Sequence, residues 1–173
     1  MDAASKAARV ALMGFDVDGV LTDGTLYYSG RGDEMKAFQT RDGHGIRMLM
    51  DAGVRVALIT GRESDIVAQR AKNLGIELVL QGVDDKCAAM EALLSRFELG
   101  FGQAGYMGDD VVDLPLLSAC GFSATVADGH PLVRERVDHI SPLGGGHGAV
   151  REVCEYLLTA QGKLAALMDR YLA

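Results

Sequence analysis

The sequence contains few cysteines and no long apolar run, and both absences restrict what the protein can be. Its 173 residues include only Cys87, Cys120 and Cys154, which are odd in number and widely separated. This spacing excludes a disulfide framework and a CxxC metal or redox site, and it is typical of a reducing cytoplasm. No apolar run approaches the ~20 residues of a membrane-spanning helix, and the N-terminal segment lacks the apolar core of a signal peptide. We therefore expect a cytoplasmic protein with no membrane association.

Positive charge is also scarce. The chain has 17 Lys and Arg residues against 24 Asp and Glu, a formal net charge of -7, and no basic stripe. Nucleic acid is therefore not the expected partner, because phosphate backbones are bound through clustered Lys and Arg. The four histidines show no HxxxH or Cys-His spacing, so zinc is not indicated. Length and an apolar content of 49% predict a single globular domain, residues 1–173.

Short apolar segments alternate with stretches of helical periodicity along most of the chain. Strands are predicted at residues 10–15, 54–60, 77–80, 104–107, 121–126 and 137–141, and helices at residues 43–52, 64–74, 86–97 and 114–119. This order predicts an α/β fold, a doubly wound parallel sheet with helices on both faces. Ligands of such folds bind at the carboxyl ends of the strands, where Asp16, Thr60 and Asp109 are expected to meet.

Two segments depart from this alternation. Residues 25–39 predict a β-hairpin inserted after the first strand, with strands at 25–28 and 34–39 around a turn at 29–33. Near the C-terminus, the glycines of residues 144–148 predict a flexible segment. Residues 150–173 then predict an amphipathic helical tail that is interrupted at Gly162.

Two carboxylates two residues apart are the strongest chemical signal. Asp16 and Asp18 directly follow the first predicted strand. Because side chains two apart on an extended strand share a face, both can point into one site. Such a pair suits a hard divalent cation, acid–base chemistry or both, and an ordinary polar turn is the alternative explanation.

Three further signals follow in order. Residues 60–62, Thr-Gly-Arg, end a strand before a helix and offer a hydroxyl and backbone N–H groups to a phosphate. Lys86 begins a helix from which its ammonium group could approach that phosphate. Residues 108–113, Gly-Asp-Asp-Val-Val-Asp, add carboxylates for a metal. Each signal alone also fits a turn or a solvated surface, but together in this order they are specific.

This order of motifs resembles that of the haloacid dehalogenase-like (HAD) phosphatases. More narrowly, residues 16–24, 40–43, 60–62, 108–115 and 145–152 resemble the 3-deoxy-D-manno-octulosonate 8-phosphate (KDO 8-phosphate) phosphatase family, small HAD enzymes without a cap domain. The resemblance extends over nearly the whole chain. It implies a Rossmann-like HAD core and an Mg²⁺-dependent phosphatase of lipopolysaccharide biosynthesis.

The resemblance also implies roles for the acidic residues. Asp16 would be the nucleophile that forms an aspartyl-phosphate, and Asp18 would protonate the leaving group and then deprotonate the attacking water. Mg²⁺ would be held by Asp16, the backbone carbonyl of Asp18 and Asp109, with Asp110 supporting the site. Asp113 is interpreted as a helix cap or supporting group and stays outside the ligand set.

Phosphate and substrate contacts are implied in the same way. Thr60, Gly61 and Lys86 would bind the transferring phosphoryl oxygens, with Thr60 and Lys86 counted as catalytic together with the two aspartates. Guanidinium groups suit the carboxylate of a sugar acid, although a surface role is the default for arginines on helices. The predicted substrate-binding residues are Asp18, Gln39, Thr40, Arg41, Asp42, Gly43, Arg47, Thr60, Gly61, Arg62, Arg70 and Lys86.

The resemblance further implies a homotetramer. In this family the hairpins pack together, and a neighbouring subunit with its glycine-rich C-terminal segment helps to close each site, which suits the exposed Leu26, Tyr27 and Tyr28 expected here.

Three alternatives remain. Relatives that act on nine-carbon keto-acid phosphates tend to have Glu where this chain has Arg62, so Arg62 favours the eight-carbon substrate over the nine-carbon one.

A phospho-acceptor signalling domain also uses acidic residues, Thr and Lys on a doubly wound sheet, but its acceptor Asp follows a later strand. The order of motifs here therefore favours the phosphatase. A non-catalytic scaffold is the third alternative, against which the complete motif set argues.

Overall fold

The computed structural model describes residues 1–172. Its strands are β1 (Leu12–Phe15), β2 (Tyr27–Tyr28), β3 (Glu34–Met35), β4 (Arg55–Ile59), β5 (Leu78–Leu80), β6 (Ala104–Met107), β7 (Phe122–Thr125) and β8 (His139–Ile140). Its α-helices are α1 (Ala3–Ala7), α2 (Thr40–Asp51), α3 (Asp65–Leu74), α4 (Lys86–Arg96), α5 (Leu114–Ala119), α6 (Pro131–Arg134), α7 (Ala149–Ala160) and α8 (Leu164–Met168). Within residues 1–172, none of these helices has the length and apolarity that crossing a membrane requires.

Six strands form one sheet in the order β5-β4-β1-β6-β7-β8, and every neighbouring pair is parallel. Alternate residues of β1 enter two separate cores, because side chains alternate across a strand. Met13 and Phe15 pack on the face that α2 and α7 cover, whereas Leu12 packs on the face that α4 and α5 cover. The predicted doubly wound parallel sheet, with helices on both faces, is confirmed.

The centre of the sheet brings the sequence motifs together. β1 lies between β4 and β6, and Phe15 is in register with Leu58 and with Met107. The chain turns to one side of β1 for β4 and β5 and to the other side for β6, β7 and β8. Ligands of α/β sheets bind where the strand order reverses in this way. Asp16, Thr60 and Asp109 therefore follow adjacent strands at the same edge of the sheet, as predicted.

Several boundaries differ from the predictions. The observed strands are mostly one or two residues shorter at their ends than the predicted ones, because the outer apolar residues already belong to the loops. Helix α2 begins at Thr40, three residues before the predicted start, because the Gln39 side chain accepts a hydrogen bond from the N–H of Arg41 and caps the helix. Helices α1 and α6 were not predicted, since five and four residues are too few to show a helical period.

The C-terminal tail contains the predicted interruption. Helix α7 ends at Ala160, Gly162 has a φ of 67°, and α8 follows. A left-handed φ of this kind is typical of glycine after a helix end. Ala173, the last residue of the predicted tail, lies outside the described residues.

The inserted hairpin is confirmed, but its strands are shorter than predicted. Tyr27 pairs with Met35 and Tyr28 with Glu34 in an antiparallel ladder of two residues on each side. The turn is closed by Ser29, whose N–H donates to the carbonyl of Asp33 at 2.9 Å and whose hydroxyl lies 2.8 Å from the Asp33 carboxylate.

The glycine-rich segment at residues 144–148, for which the sequence predicts flexibility, forms hydrogen bonds and packs closely in the structure. The N–H of Gly145 donates to the Asp128 carboxylate at 3.0 Å, and the N–H of Gly146 donates to the carbonyl of Val20 at 3.0 Å. A Cβ atom on Gly145 would lie 1.9 Å from the carbonyl oxygen of Gly19. The glycines therefore permit close backbone packing against the loop that follows β1, a use of glycine that a composition argument does not distinguish from flexibility.

We expect Gly145→Ala to destabilise the protein, because the new methyl group would overlap the Gly19 backbone. Overpacking of this kind costs about 1–3 kcal/mol or more in free energy of unfolding. Gly100→Ala is the matched control, since no heavy atom lies within 4 Å of a Cβ atom built at Gly100. Thermal and urea unfolding of both variants measures the effect, and equal midpoints would contradict the close contact at Gly145.

Candidate active site

Asp16 follows β1, and its carboxylate is almost fully removed from solvent, with the side chain 10% exposed. One carboxylate oxygen accepts a hydrogen bond from the N–H of Val17 at 2.7 Å. The other lies 2.8 Å from Nζ of Lys86. The carboxylate therefore has a fixed orientation at the end of the central strand, as a nucleophile or a metal ligand requires.

Lys86 is the first residue of α4, whose N-terminus is capped by the Asp85 side chain, an acceptor for the N–H of Ala88 at 2.9 Å. Its Nζ atom also lies 2.6 Å from Oδ1 of Asp113. Burial lowers the pKa of Lys86, but the negative charges of Asp16 and Asp113 outweigh burial and raise it overall. The ammonium group therefore stays charged and compensates two buried carboxylates.

Asp113 is fully buried, and both of its oxygens are occupied by protein donors. Oδ1 lies beside Lys86 and 3.0 Å from the hydroxyl of Tyr106. Oδ2 accepts hydrogen bonds from the backbone N–H groups of Asp109 and Asp110, at 3.1 and 3.3 Å. We therefore keep Asp113 outside the proposed metal-ligand set, as a group that orients Lys86 and the loop after β6.

Tyr106 is a site residue that sequence reasoning missed, because it lies within an apolar strand where core packing is expected. Its hydroxyl is 3.2 Å from Nζ of Lys86 and 3.2 Å from the carbonyl oxygen of Ile59. Burial raises the pKa of Tyr106 well above its usual value, so the phenol remains a donor. A Cβ atom on Gly14 would lie 2.9 Å from the Tyr106 ring, and this lone glycine in a buried strand was the available signal.

Three carboxylates converge on one point beside the loop after β1. One oxygen from each of Asp16, Asp109 and Asp113 lies within 4.8 Å of the other two. Within residues 1–172, Asp109 forms no salt bridge, so the ammonium of Lys86 is the cation that faces this group. A divalent cation would compensate the remaining negative charge, and carboxylate oxygens are the ligands that Mg²⁺ prefers. Asp16 and Asp109 of this group therefore fit Mg²⁺, with Asp113 as a supporting group.

The electrostatics of the carboxylates agree with this fit. Burial, followed by the charges of Asp16, Asp113 and Asp110, raises the pKa of Asp109 to about 7. Burial, followed by the charge of Asp113, raises the pKa of Asp16 to about 6, although Lys86 opposes that shift. Without a cation, keeping each carboxylate ionised therefore costs free energy, and a bound cation would remove that cost.

A cavity of about 320 Å³ opens beside Asp16 at this edge of the sheet, lined by Asp18, Thr60, Gly61, Arg62 and Lys86 among others. The backbone of Thr60 is fixed on both sides, since its N–H donates to the carbonyl of Leu80 at 3.0 Å and its carbonyl accepts from Val83 at 3.1 Å. Gly61 follows directly and is exposed. The structure therefore brings together the predicted nucleophile, the predicted acid and the predicted phosphate-binding residues.

Asp18 lies at the rim of this cavity with its side chain 21% exposed, and the hairpin reaches it. Lys36, which follows β3, forms a salt bridge with Oδ1 of Asp18, and Nε of Arg62 lies 3.5 Å from Oδ2. Glu34 of β3 bonds Arg62 at 3.2 Å and the hydroxyl of Ser64 at 2.8 Å. Sequence reasoning missed Lys36 and Glu34, because it treated the hairpin only as an assembly surface.

The remaining predicted substrate residues lie around the N-terminus of α2 and outside the lining of this cavity. Gln39 caps α2, and the adjacent Thr40 and Arg41 are exposed. The Arg70 guanidinium lies 3.4 Å from the Gln39 carbonyl, and it occupies the space that a Cβ atom on Gly43 would need. Arg47 is exposed and donates to the carbonyl of Leu74 at 3.4 Å.

Asp42 differs from these neighbours because it is buried. Its carboxylate accepts the N–H of Gly148 at 3.3 Å and the N–H of Arg151 at 2.8 Å. Burial raises the pKa of Asp42, and these two hydrogen bonds oppose the shift. In this structure Asp42 thus joins α2 to the start of α7.

Comparison with known proteins gives consistent similarities. Residues 76–151 match the family described as haloacid dehalogenase-like hydrolase. The chain is 45% identical over 163 residues to the 3-deoxy-D-manno-octulosonate 8-phosphate phosphatase KdsC of Escherichia coli (strain K12), a match that covers 94% of this chain and 87% of the relative.

Two solved structures share the fold closely. The Moraxella catarrhalis 3-deoxy-D-manno-octulosonate 8-phosphate phosphatase, solved with a magnesium ion, a phosphate ion and KDO, matches with a TM-score of 0.95 at 40% identity and covers 97% of both chains. A probable YrbI family phosphatase from Pseudomonas syringae matches with a TM-score of 0.98 at 46% identity, over 99% of this chain and 98% of that chain.

We expect Asp113→Asn to destabilise the protein strongly, because it leaves the buried Lys86 with one carboxylate fewer. Loss of one partner from a buried ion pair costs about 3–5 kcal/mol in free energy of unfolding. Asp110→Asn is the control, since Asp110 is exposed and Asn also caps helix N-termini, so a change within about 0.5 kcal/mol is expected. Denaturant unfolding of both variants measures the difference, and two equal free energies would refute the role of Asp113.

We expect the affinity for Mg²⁺ to fall as the pH is lowered, because protons compete with the cation at carboxylates of raised pKa. With values of about 7 for Asp109 and about 6 for Asp16, lowering the pH from 8 to 6 should weaken binding roughly 20-fold. Calorimetric titration of Mg²⁺ at both pH values measures this change. Asp109→Asn should bind weakly with a flatter pH profile, and equal wild-type affinities at pH 8 and pH 6 would contradict the raised pKa values.

Proposed function

The chain belongs to the KDO 8-phosphate phosphatase family of haloacid dehalogenase-like hydrolases, and on that premise we propose that it is an Mg²⁺-dependent phosphatase that hydrolyses KDO 8-phosphate to KDO and phosphate. One observation supports this function above the others. Asp16 is buried at the end of the central strand, paired with Lys86 at 2.8 Å, and part of a carboxylate cluster that opens into a cavity. This arrangement supports a mechanism in which a nucleophile, a cation site and phosphate-binding groups surround one position.

In the first half of the reaction, an Asp16 carboxylate oxygen attacks the phosphorus atom in line with the ester bond. As the P–O bond breaks, its electron pair goes to the sugar oxygen, which takes a proton from the carboxyl group of Asp18. KDO leaves, and Asp16 carries the phosphoryl group. Asp18 is then a carboxylate beside the cavity.

In the second half, water attacks the phosphorus atom of the aspartyl-phosphate and gives a proton to Asp18. The bond between phosphorus and the Asp16 oxygen breaks, and its electron pair returns to the Asp16 carboxylate. Inorganic phosphate is released, and both aspartates regain their starting protonation states. The same residue therefore acts first as an acid and then as a base.

The groups around Asp16 stabilise the transferring phosphoryl oxygens. Lys86 supplies a fixed positive charge, while the Thr60 hydroxyl and the backbone N–H of Gly61 supply donors at the end of β4. Asp16, Asp109 and the backbone carbonyl of Asp18 would hold Mg²⁺, with Asp110 as a supporting group. When bound, Mg²⁺ lets an anionic nucleophile approach an anionic phosphate and compensates the charge on its oxygens.

Selectivity for the sugar acid is assigned to Arg62 together with the residues at the start of α2. Arg62 lines the cavity with its side chain 44% exposed, so its guanidinium is accessible to a substrate carboxylate or hydroxyl. Residues 39–43, Arg47 and Arg70 would complete the sugar-acid end. Arg62 in place of Glu favours the eight-carbon over the nine-carbon keto acid.

The enzyme is further proposed to act in the cytoplasm, in lipopolysaccharide biosynthesis, as a homotetramer. Its three cysteines are free thiols, as in a reducing compartment. The hairpin exposes a group of apolar side chains, with Tyr28 59% exposed and Met35 65% exposed. Contiguous apolar surface of this kind favours association with further copies of the chain.

Phosphate release from KDO 8-phosphate, with and without Mg²⁺, tests the proposed function. We expect Mg²⁺-dependent turnover by the wild-type protein and at least a 1,000-fold loss in Asp16→Asn, because the amide is no nucleophile. The circular dichroism spectrum of the variant should match the wild type. Turnover that survives Asp16→Asn, or that needs no divalent cation, would refute the mechanism.

The same assay on nine-carbon keto-acid 9-phosphates tests the substrate assignment. We expect kcat/KM to be higher for KDO 8-phosphate. Equal or reversed preference would favour the nine-carbon alternative and leave the phosphatase mechanism intact.

A further inference from the structure

The hairpin contributes a buried positive charge to the catalytic site. The Lys36 side chain is 1% exposed, although it belongs to an insertion whose tip and apolar side chains are exposed. Lysine is almost never buried without a partner, because removing an ammonium group from water is costly. Its partners here are Asp18, through a salt bridge, and Glu34, at 3.4 Å from Nζ.

These contacts form a closed ring of alternating charges. Asp18 pairs with Lys36, Lys36 with Glu34, Glu34 with Arg62, and Arg62 with the second oxygen of Asp18. The ring is anchored to the sheet edge on one side by the hydrogen bond between Glu34 and Ser64, which precedes α3. On the other side, the Tyr28 hydroxyl lies 2.6 Å from Nη2 of Arg62.

From this ring we propose that Lys36 is a positioning residue, which fixes the carboxyl group of Asp18 in the orientation needed for proton transfer to the leaving oxygen. The proposal rests on the proposed function, in which Asp18 is the acid. As Asp18 gives up its proton, negative charge develops on its carboxylate beside the ammonium group of Lys36. A fixed charge at that position stabilises the transition state without reorganisation.

Glu34 completes this arrangement. Without Glu34, the ammonium of Lys36 and the guanidinium of Arg62 would have Asp18 as their one shared partner in this ring. With Glu34 in the ring, Lys36 and Arg62 both keep a carboxylate partner while Asp18 carries its proton, and each cation keeps its position. The hairpin thus positions the acid within its own subunit, apart from any role in assembly.

The dependence of the rate on the leaving group tests this proposal. KDO 8-phosphate has a poor alkoxide leaving group that needs an acid, whereas the nitrophenolate of p-nitrophenyl phosphate leaves without one. Because hydrolysis of the aspartyl-phosphate also uses Asp18 with either substrate, the comparison is made on kcat/KM, which reports the steps up to departure of the leaving group. We expect Lys36→Met to lower kcat/KM on KDO 8-phosphate about 100-fold and kcat/KM on p-nitrophenyl phosphate about threefold or less, with Mg²⁺ present throughout. An equal loss of kcat/KM on both substrates would refute a role through Asp18 as the acid.

The split between kcat and KM separates positioning from substrate binding. If Lys36 acts through Asp18, KM for KDO 8-phosphate changes little. A raised KM with unchanged kcat would instead make Lys36 a substrate contact and would overturn the proposal. In Asp18→Asn, adding Lys36→Met should change kcat less than about twofold, because the two residues act as one unit.

Two further variants control for the hairpin itself. Arg31→Met removes a positive charge from the exposed hairpin tip and should leave both rates unchanged. Lys36→Arg retains the charge at a shifted position and should restore part of the rate on KDO 8-phosphate, so it tests the proposal even if Lys36→Met fails to fold. A Lys36→Arg variant as slow as Lys36→Met on KDO 8-phosphate would contradict positioning by charge.

The outcomes also separate this proposal from the function on which it rests. A wild-type protein inactive on KDO 8-phosphate would contradict the proposed function. An active wild type whose Lys36→Met variant is equally active would contradict only the role of Lys36. Light scattering of each variant shows whether a change in rate accompanies a change in assembly, and a rate loss that follows loss of assembly on both substrates overturns the proposal.

Discussion

The buried ammonium group of Lys86 is the interaction on which the catalytic centre depends. It faces Asp16 from the central strand and Asp113 from the loop after β6, and it extends from the first residue of α4. Three chain segments that are distant in sequence are thereby held around one positive charge. Without that charge, buried carboxylates would stand within a few ångströms of one another and at least one would be protonated. Lys86, the proposed phosphate-binding residue, therefore favours the charged form of Asp16, the proposed nucleophile.

A second, outer group of charges repeats this arrangement at the rim of the cavity. Asp18 is held between Lys36 and Arg62, as Asp16 is held near Lys86. The inner group is almost fully buried and the outer one is partly exposed, which fits their different tasks. In the proposed mechanism, the inner carboxylate attacks phosphorus in a fixed direction, whereas the outer one exchanges protons with the leaving group and with water. The hairpin thus completes a site whose core belongs to the sheet.

The sequence was sufficient for the fold and for the common position of Asp16, Thr60 and Asp109, because both depend on local patterns. Asp16, Thr60 and Asp109 each follow an apolar strand, and the carboxyl ends of parallel strands lie at one edge of the sheet, where ligands bind. Lys36 and Glu34 could not be predicted in the same way. Their positions near Asp18 depend on how the hairpin packs against the rest of the structure. The spacing of apolar residues in strands and helices does not predict that packing.

Tyr106 and the glycine-rich segment show the same limit of sequence-based prediction. Tyr106 has the pattern of a core residue and is one, yet its hydroxyl also reaches the charged centre, so burial concealed its polar contact. Gly145 and Gly146 belong to a segment with the composition of a loop, but they are close-packed because the loop after β1 leaves no room for side chains there. In both cases, the decisive information is the distance to a segment far away in the sequence.

The packing of Gly145 and Gly146 against the loop after β1 also bears on how the enzyme becomes active during synthesis. The loop that carries Asp16 and Asp18 leaves the ribosome early, while its packing partner is made more than a hundred residues later. Asp42 and Gly148, which join α2 to α7 in the same region, are 106 residues apart. Contacts of such long range form late, after the intervening chain has collapsed. The loop that carries Asp16 and Asp18 therefore lacks this packing until residues 145–148 and α7 have been made.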